Sequence, residues 1–285
     1  MKKLNILFLA LVIIATVGLA QAQITTPAPS PSATISQMIG MTNVTVSYSR
    51  PSVKGRVVFG DLVKYDKVWR TGANQATKIT LADEVIIEGS KLAKGDYAIM
   101  SIPNATEWTV IFSKNLSTNE GSYKQEEDAL RVKVKPTKTA TKVESFTVNF
   151  TDLTMNAGVL ELAWDNTAVR LKVETDVDSK VEKQIAEFTN PNKDWNGYFQ
   201  AASYYFNNNK DINKAYEWVV KSTSMQPQFW TLYLKAQIEL KLKKYQDAIA
   251  TAEKSKEMAK DAKPAPNTQY VEFNEKLLAE AKKMK

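Results

Sequence analysis

The sequence contains no cysteine and no histidine in its 285 residues. A thiolate nucleophile, an imidazole base and a disulfide framework are therefore excluded. The same absence excludes the usual zinc, copper and haem ligand sets. Any catalysis would have to use carboxylates, lysine, serine, threonine or tyrosine, and the sequence singles out no such group. We predict no metal, no cofactor and no catalytic residue.

Residues 1–22 have the three parts of a secretory signal peptide. Two lysines precede an uninterrupted apolar run at residues 6–15, and the end Ala20-Gln21-Ala22 predicts cleavage before Gln23. A retained anchor helix is the alternative, because the apolar run approaches the length of a membrane-spanning helix. No cysteine follows the cleavage site, so we expect no lipoprotein anchor. We expect an exported protein, periplasmic or secreted, without stable membrane insertion after cleavage.

The positive charge of the chain is modest. The formal net charge is +7, and +5 remains over residues 23–285, from 36 basic and 31 acidic residues. An excess of this size does not by itself indicate binding to nucleic acid. We therefore predict no nucleic-acid partner.

Residues 33–176 predict an antiparallel β-sandwich or a partly closed barrel. Apolar and polar residues alternate, as around Val44, Val46 and Tyr48, which places the apolar ones on one face of a strand. The same pattern gives the sets Ile79 and Leu81; Ala98, Met100 and Ile102; Val110 and Phe112; Phe146, Val148 and Phe150; and Leu160, Leu162 and Trp164. Eight of the ten glycines lie in this region, at turns between short strands. A Pro/Ser-rich segment at residues 23–32 is predicted to be an extended linker.

Residues 177–285 predict helices, which makes the chain a two-part α+β protein. The spacing of Val181, Ile185 and Phe188 indicates a first helix, ended by Asn190-Pro191-Asn192. Two blocks then repeat with an offset of 33 residues, which aligns Phe199 with Leu232, Ser203 with Ala236, Ala215 with Ala248 and Ser222 with Ser255. These small residues resemble those of the tetratricopeptide helix-turn-helix repeat. Thr268 to Lys283 predicts a final, capping helix, and an aromatic-rich concave face would suit a protein or peptide partner.

The basic segment at residues 48–80 is the main chemical signal. It carries three of the five arginines of the chain and a local charge of +5, from seven basic and two acidic residues. Guanidinium forks suit carboxylates and phosphates. The predicted ligand-binding residues are Arg50, Lys54, Arg56, Arg70 and Asn74. The alternative is that these side chains pin an irregular loop to the sandwich by bonding backbone carbonyls and acidic partners.

Four runs in the β-rich region resemble one known family. They are SRPSVKGRVVFG, VWRTGANQATKI, LAKGDYAIMSIPNATEWTVIFSK and ALRVKV. The resemblance is to exported Bacteroidota proteins of domain-of-unknown-function family 2911, and it covers about residues 33–176. Lys64-Tyr65-Asp66 departs from the pattern, which has a proline and a glycine around the tyrosine. The resemblance implies a β-rich exported domain with a repeat-bearing helical extension, and it implies no activity.

Other candidate sites have a simpler structural explanation. The acidic segment at residues 119–128 offers oxygen ligands for Ca²⁺ but lacks the alternating Asp/Asn loop. Trp69, Trp108 and Trp164 could stack on a sugar, yet Trp108 and Trp164 continue apolar strand faces that predict a core. No pair of carboxylates stands out for glycoside hydrolysis.

Taken with the basic segment, these patterns favour a non-enzymatic exported binding or scaffold module. We expect the helical tail to bind a protein or peptide and the β-domain to offer a site for a small anionic or glycan ligand. The alternative is a carbohydrate-binding or carbohydrate-active protein of the cell envelope.

Overall fold

A computed structural model describes residues 26–188 and 194–284. The chain forms two compact units that divide between Val177 and Asp178. The predicted signal peptide and the predicted helix stop at Asn190-Pro191-Asn192 lie outside the described residues. In the described ranges, no helix is long and apolar enough to cross a membrane.

The N-terminal unit consists of two antiparallel sheets. The larger sheet has the order β1 (Ser32–Ile39), β2 (Thr42–Ser49), β3 (Thr77–Leu81), β6 (Gly95–Ile102), β7 (Trp108–Ser113) and β8 (Asp128–Val134). The smaller sheet has the order β5 (Ser90–Leu92), β4 (Val85–Ile87), β10 (Ala157–Glu174) and β9 (Thr137–Thr151). The predicted antiparallel β-sandwich is confirmed, and the described strands form no closed barrel.

The core of this unit lies between the sheets and follows the predicted alternation on most strands. Val44 and Val46 are fully buried in it, for example, and Tyr48 is nearly so. Strand β6 departs from the prediction because both of its faces are buried. Its Tyr97 and Ile99 belong to the core between the sheets. Ala98, Met100 and Ile102, which were predicted to share the apolar face, lie on the opposite face, outside that core. On a strand buried on both faces, alternation does not identify the core side.

A two-residue turn at Gly40-Met41 joins β1 to β2, since Ile39 pairs with Thr42. Gly40 has φ +56°, a conformation that favours glycine in such hairpins. A Cβ atom at this position would lie 2.5 Å from Val177 Cγ2 and would also collide with Thr175 Oγ1. The turn therefore needs glycine for both its backbone conformation and its packing.

The C-terminal unit consists of six helices in the described ranges. They are α1 (Val177–Phe188), α2 (Trp195–Asn207), α3 (Ile212–Met225), α4 (Phe229–Lys241), α5 (Tyr245–Lys260) and α6 (Thr268–Met284). Helices α2 and α3 begin where Asp194 and Asp211 accept hydrogen bonds from backbone N–H groups of the first turn. The predicted helical hairpins are confirmed and are tetratricopeptide-like.

The repeat has two offsets rather than one. Helices α3 and α5 start 33 residues apart, at 212 and 245, and the aligned Ala215 and Ala248 are fully buried as expected. Helices α2 and α4 start 34 residues apart, at 195 and 229. Ala202, which is fully buried, therefore matches Ala236, and the predicted match of Ser203 with Ala236 is wrong. By the same shift Tyr198, rather than Phe199, matches Leu232.

A buried chain of polar groups holds α6 to the preceding hairpin. Asn274 Nδ2 donates to Ser255 Oγ at 2.8 Å, and Ser255 Oγ donates to the carbonyl of Phe229 at 2.7 Å. Asn274 and Ser255 are fully buried, and these bonds satisfy the Asn274 Nδ2 group and the Ser255 hydroxyl, whereas Asn274 Oδ1 has no partner among the described residues. The last helix is thus joined to both α5 and α4.

Candidate functional site

Arg50 follows β2 and bonds to β9 of the other sheet. Its Nε donates to the carbonyl of Phe146 at 3.1 Å, and its Nη2 donates to Thr147 Oγ1 at 2.8 Å. Its backbone N–H donates to the carbonyl of Pro31 at 2.9 Å. Arg50 therefore ties the two sheets together and holds the end of the predicted linker against the sandwich.

Lys54 and Arg56 lie in the turn that follows. Arg56 closes this turn, because its Nε donates to the carbonyl of Val53 at 3.0 Å and its Nη2 to the carbonyl of Ser52 at 2.6 Å. Lys54 has φ +49°, and its backbone N–H donates to Glu144 Oε1 at 2.9 Å. The Arg56 guanidinium is thus committed to its own loop, whereas the Lys54 ammonium is exposed.

Arg70 pairs with Glu120 through its guanidinium fork. Its Nε lies 3.0 Å from Glu120 Oε1 and 2.9 Å from Oε2, and its Nη2 also donates to Oε2. Its Nη1 donates to the carbonyl of Asn74, whose own Nδ2 donates to Ser49 Oγ and to the carbonyl of Ser30, both at 3.2 Å. The pair therefore fixes the turn that contains Asn74 against the start of the sandwich.

The two groups of this pair stabilise each other in their charged forms. Burial raises the pKa of Glu120, but the bonds from Arg70 and from the backbone N–H groups of both residues outweigh it, so the net pKa lies below the usual range. The hydrogen bond with Glu120 raises the pKa of Arg70, against a smaller opposing effect of burial. Their side chains are 30% and 38% exposed, so solvent weakens the attraction.

The five predicted ligand-binding residues lie on one segment, but the structure directs the three arginine side chains and the Asn74 amide to different internal partners and leaves the Lys54 ammonium exposed. Arg50 bonds to β9, Arg56 to its own turn and Arg70 to Glu120. These contacts support the structural alternative, in which the arginines pin an irregular segment. Anion binding by these residues stays a prediction, and it would compete with the internal bonds.

The aromatic residues near this segment fill the core. Trp69 and Trp164 stack with ring centroids 5.9 Å apart, and Phe59 packs edge-on against Trp108 at 4.9 Å. Trp69, Trp108 and Trp164 are 7%, 3% and 2% exposed, which leaves no open face for a sugar ring. The core interpretation of Trp108 and Trp164 is confirmed, and it extends to Trp69.

The acidic segment at residues 119–128 is occupied by local bonds. Glu120 pairs with Arg70, and Asp128 accepts a hydrogen bond from the Tyr123 hydroxyl at 2.7 Å. Burial and the Asp128 carboxylate raise the pKa of Tyr123 to about 12. Among the residues that the structure describes, no group of three or more acidic side chains is placed to hold a metal ion.

The helical unit contains a groove of about 540 Å³ that the sequence patterns did not locate. Its walls come from α2 and α4, which are the first helices of the two hairpins, from the last helix α6, and from the turn between α4 and α5 with the first residue of α5. The lining residues are Phe206, Tyr233, Gln237, Leu240, Lys241, Lys243, Tyr245, Phe273, Lys276, Leu277, Glu280 and Met284. Helix α6 therefore supplies one side of a surface and does more than cap the repeats.

The groove has an apolar floor and a basic rim. Tyr233 and Phe273 stack with centroids 5.6 Å apart and planes 25° from parallel. Burial raises the pKa of Tyr233, with smaller contributions from neighbouring Tyr270 and Glu280. The charged lining residues are Lys241, Lys243 and Lys276 against Glu280, an excess of two positive charges. The signal that could have found this site is the aromatic pair at Tyr233 and Phe273.

A buried carboxylate lies on the same helix as part of the groove. Glu239 in α4 is 1% exposed, and its Oε1 lies 3.5 Å from Lys235 Nζ. Burial raises its pKa, and a hydrogen bond from Thr251 together with the Lys235 charge opposes that effect. Sequence reasoning missed this residue, because a lone glutamate on a helix is usually exposed.

The fold and these surfaces define a two-unit protein in which an antiparallel β-sandwich is followed by tetratricopeptide-like helical hairpins. The chain belongs to the family described as protein of unknown function DUF2911, whose model matches residues 30–173. Residues 182–255 are also similar to the model of anaphase-promoting complex, cyclosome, subunit 3. No curated protein and no solved structure matches the chain.

Proposed function

We propose that the chain is an exported, non-enzymatic binding module that holds a segment of a partner protein in the groove of its helical unit. The observation that carries this proposal is the groove itself, which α2 and α4 of the two hairpins build together with the last helix, α6. Helical repeats bind partners on such extended faces. Export rests on the signal-peptide pattern of residues 1–22.

The lining of the groove points to an acidic segment with an aromatic or aliphatic anchor. The stacked rings of Tyr233 and Phe273, with Leu240 beside them, offer an apolar surface for one large side chain. The exposed Lys276 ammonium and its basic neighbours favour carboxylates next to that anchor. A basic partner segment would be repelled by the lysines at the rim.

The β-sandwich fits a supporting role in this proposal. Its basic segment is fixed by internal bonds from Arg50, Arg56 and Arg70, so these side chains stabilise a rigid platform. The sequence contains no cysteine and no histidine, so it offers neither a thiolate nucleophile nor an imidazole base. A binding or scaffold role asks for neither.

The experiment selects a display library of random peptides on the purified chain from Gln23 onward. We expect the enriched peptides to combine Asp or Glu with a large apolar residue, and we expect Lys276→Glu to weaken the selected peptides about tenfold. The matched control is Lys254→Glu, which makes the same change on an exposed site of α5 outside the groove. A library that yields no enriched peptide, or peptides that Lys276→Glu and Lys254→Glu affect equally, would contradict the proposal.

A further inference from the structure

The loop at residues 54–67 of the sandwich unit has an outer surface that its arginine contacts do not use. Val58 and Val63 point inward and are 0% and 6% exposed, and the Val63 N–H donates to the Val58 carbonyl at 2.8 Å. Val57 and Leu62 point outward and are 64% and 44% exposed. The Leu62 N–H donates to the Val57 carbonyl at 3.2 Å, which links the backbones of this exposed aliphatic pair.

Ring packing and backbone hydrogen bonds anchor the loop, so the exposure of this pair follows from the fold. Phe59, which follows Val57 and Val58 in sequence, packs against the rings of Trp69 and Trp108. The Gly60 N–H donates to the carbonyl of Val63 at 2.9 Å, and the Arg56 guanidinium closes the preceding turn. A loop anchored in this way cannot turn its two aliphatic side chains inward without giving up core contacts.

Lysine and tyrosine are exposed in the same loop as the aliphatic pair. Lys54, Lys64 and Lys67 are exposed, and Tyr65 is 39% exposed. Asp61 neutralises only Lys64, at 3.1 Å. Residues 54–67 carry four basic and two acidic side chains, an excess of two positive charges.

We propose that this loop docks reversibly on an anionic lipid surface, with Val57, Leu62 and Tyr65 in the interfacial layer and the lysines above it. The charge of the loop is complementary to anionic headgroups. Tyrosine is enriched at membrane interfaces, and lysine can extend a charged head from an apolar stem. The proposal is independent of the helical groove.

The composition of the loop favours lipid over an acidic protein. Protein interfaces are enriched in arginine and depleted in lysine, because the guanidinium fork matches carboxylate geometry. In this loop Arg56 is also exposed, but its guanidinium bonds two backbone carbonyls of its own turn, and the other exposed cations are lysines. A hydrated point charge suits a diffuse layer of headgroups, which needs no fixed geometry.

The test is flotation with vesicles of phosphatidylcholine containing about 30% phosphatidylglycerol, compared with phosphatidylcholine alone. The chain is used from Gln23 onward, because the apolar run at residues 6–15 would itself bind lipid. We expect binding to the anionic vesicles that falls as salt is added. We expect Lys67→Gln to weaken it about fivefold and Leu62→Ser to weaken it at least as much.

The controls make the same changes elsewhere on the sandwich. Leu153→Ser removes a leucine that is 48% exposed on the turn between β9 and β10, and Lys94→Gln removes an exposed lysine beside β6. Both should bind like the unsubstituted chain. The proposal is overturned if the chain does not bind anionic vesicles, if the controls lose as much binding as the loop variants, or if the loop instead binds soluble polyglutamate and no vesicles.

Discussion

The pair of Arg70 and Glu120 gives the most direct test of the structural role of the basic segment. The perturbation is a double-mutant cycle of Arg70→Ala, Glu120→Ala and the two together. Truncation of Arg70 removes the fork from both carboxylate oxygens and from the carbonyl of Asn74. If the arginine pins the segment, the sandwich loses stability without any ligand present.

The expected magnitude follows from geometry and exposure. Hydrogen bonds to charged groups contribute about 1.5–3 kcal/mol, whereas exposed ion pairs contribute about 0–1 kcal/mol. These side chains are 30% and 38% exposed, so the value lies between the two cases. We expect Arg70→Ala to cost about 2 kcal/mol, Glu120→Ala about 1.5 kcal/mol and the coupling energy to be about 1 kcal/mol. Arg70→Lys should recover less than half, because an ammonium cannot reproduce the fork.

The assay is native-state hydrogen exchange at amides of β3 and β6, such as those of Ile79 and Ile99. Both residues are fully buried in central strands, so their exchange reports the unfolding of the sandwich alone. Tryptophan fluorescence would mix the two units, since each holds three of the six tryptophans. Two-state fitting of the whole chain would have the same problem.

The pH dependence adds a second readout. The pKa of Glu120 is lowered in the folded protein, so its contribution to stability is fully present above the unfolded-state pKa. That contribution is lost as the pH falls through the lower folded-state value. Glu120→Gln should remove this part of the acid dependence.

One pattern of results would refute the structural reading. If Arg70→Ala left the exchange of Ile79 and Ile99 unchanged, the fork would not be holding the segment. If inorganic phosphate also raised the melting temperature of the unsubstituted chain but not that of Arg70→Ala, the arginine would belong to an anion site.

Two further substitutions test packing, one in the sandwich and one in the helical unit. Gly40→Ala should destabilise the sandwich by about 3 kcal/mol, because it adds a clash with Thr175 and Val177 to the strain of a positive φ. Gly89→Ala, at φ +78° with open space around it, should cost only about 1 kcal/mol, and equal losses in urea unfolding would contradict the clash. Burial raises the pKa of Glu239, so the folded helical unit loses stability as the pH rises above the usual glutamate pKa. Glu239→Gln should reduce this loss. It should also raise the melting temperature of the helical unit at neutral pH. Circular dichroism in the far ultraviolet measures this, and a pH profile identical to that of the unsubstituted chain would contradict it.

Strand faces could be predicted from the sequence wherever one face is buried against the other sheet. Val44 and Val46 show this case, since both are fully buried in the core. On β6 the same rule selected the set with Met100, while Ile99 forms the core between the sheets. Met100 and Ile99 are both fully buried, so hydrophobicity alone does not tell which face of β6 packs against the other sheet.

The helical repeat could be predicted in kind but not in register. The extra residue that shifts α2 against α4 lies in the connection between α2 and α3, which is residues 208–211, whereas residues 242–244 connect α4 and α5. A single offset fitted to α3 and α5 therefore misplaced Ser203, which is partly exposed, in the position that Ala202 fills. Loop length, rather than side-chain pattern, decided this register.

The partners of the basic segment could not be predicted, because they are distant in sequence. Glu120 is 50 residues from Arg70, and Thr147 is 97 residues from Arg50. The groove could not be predicted for the same reason, since its aromatic pair joins two residues that are distant in sequence, Tyr233 of α4 and Phe273 of α6. Composition located the charges and the aromatic residues, but only the tertiary arrangement assigned their partners.

The structure separates the basic side chains of the loop by chemistry. The guanidinium of Arg56 bonds two backbone carbonyls at once and thereby closes the turn. Lys54 and Lys67 stay exposed in the same loop as the outward-facing Val57 and Leu62. A loop whose arginine supports the fold and whose lysines face solvent can bind an anionic surface without weakening itself. Any ligand that required the arginine fork would first have to break the bonds that hold the loop in place.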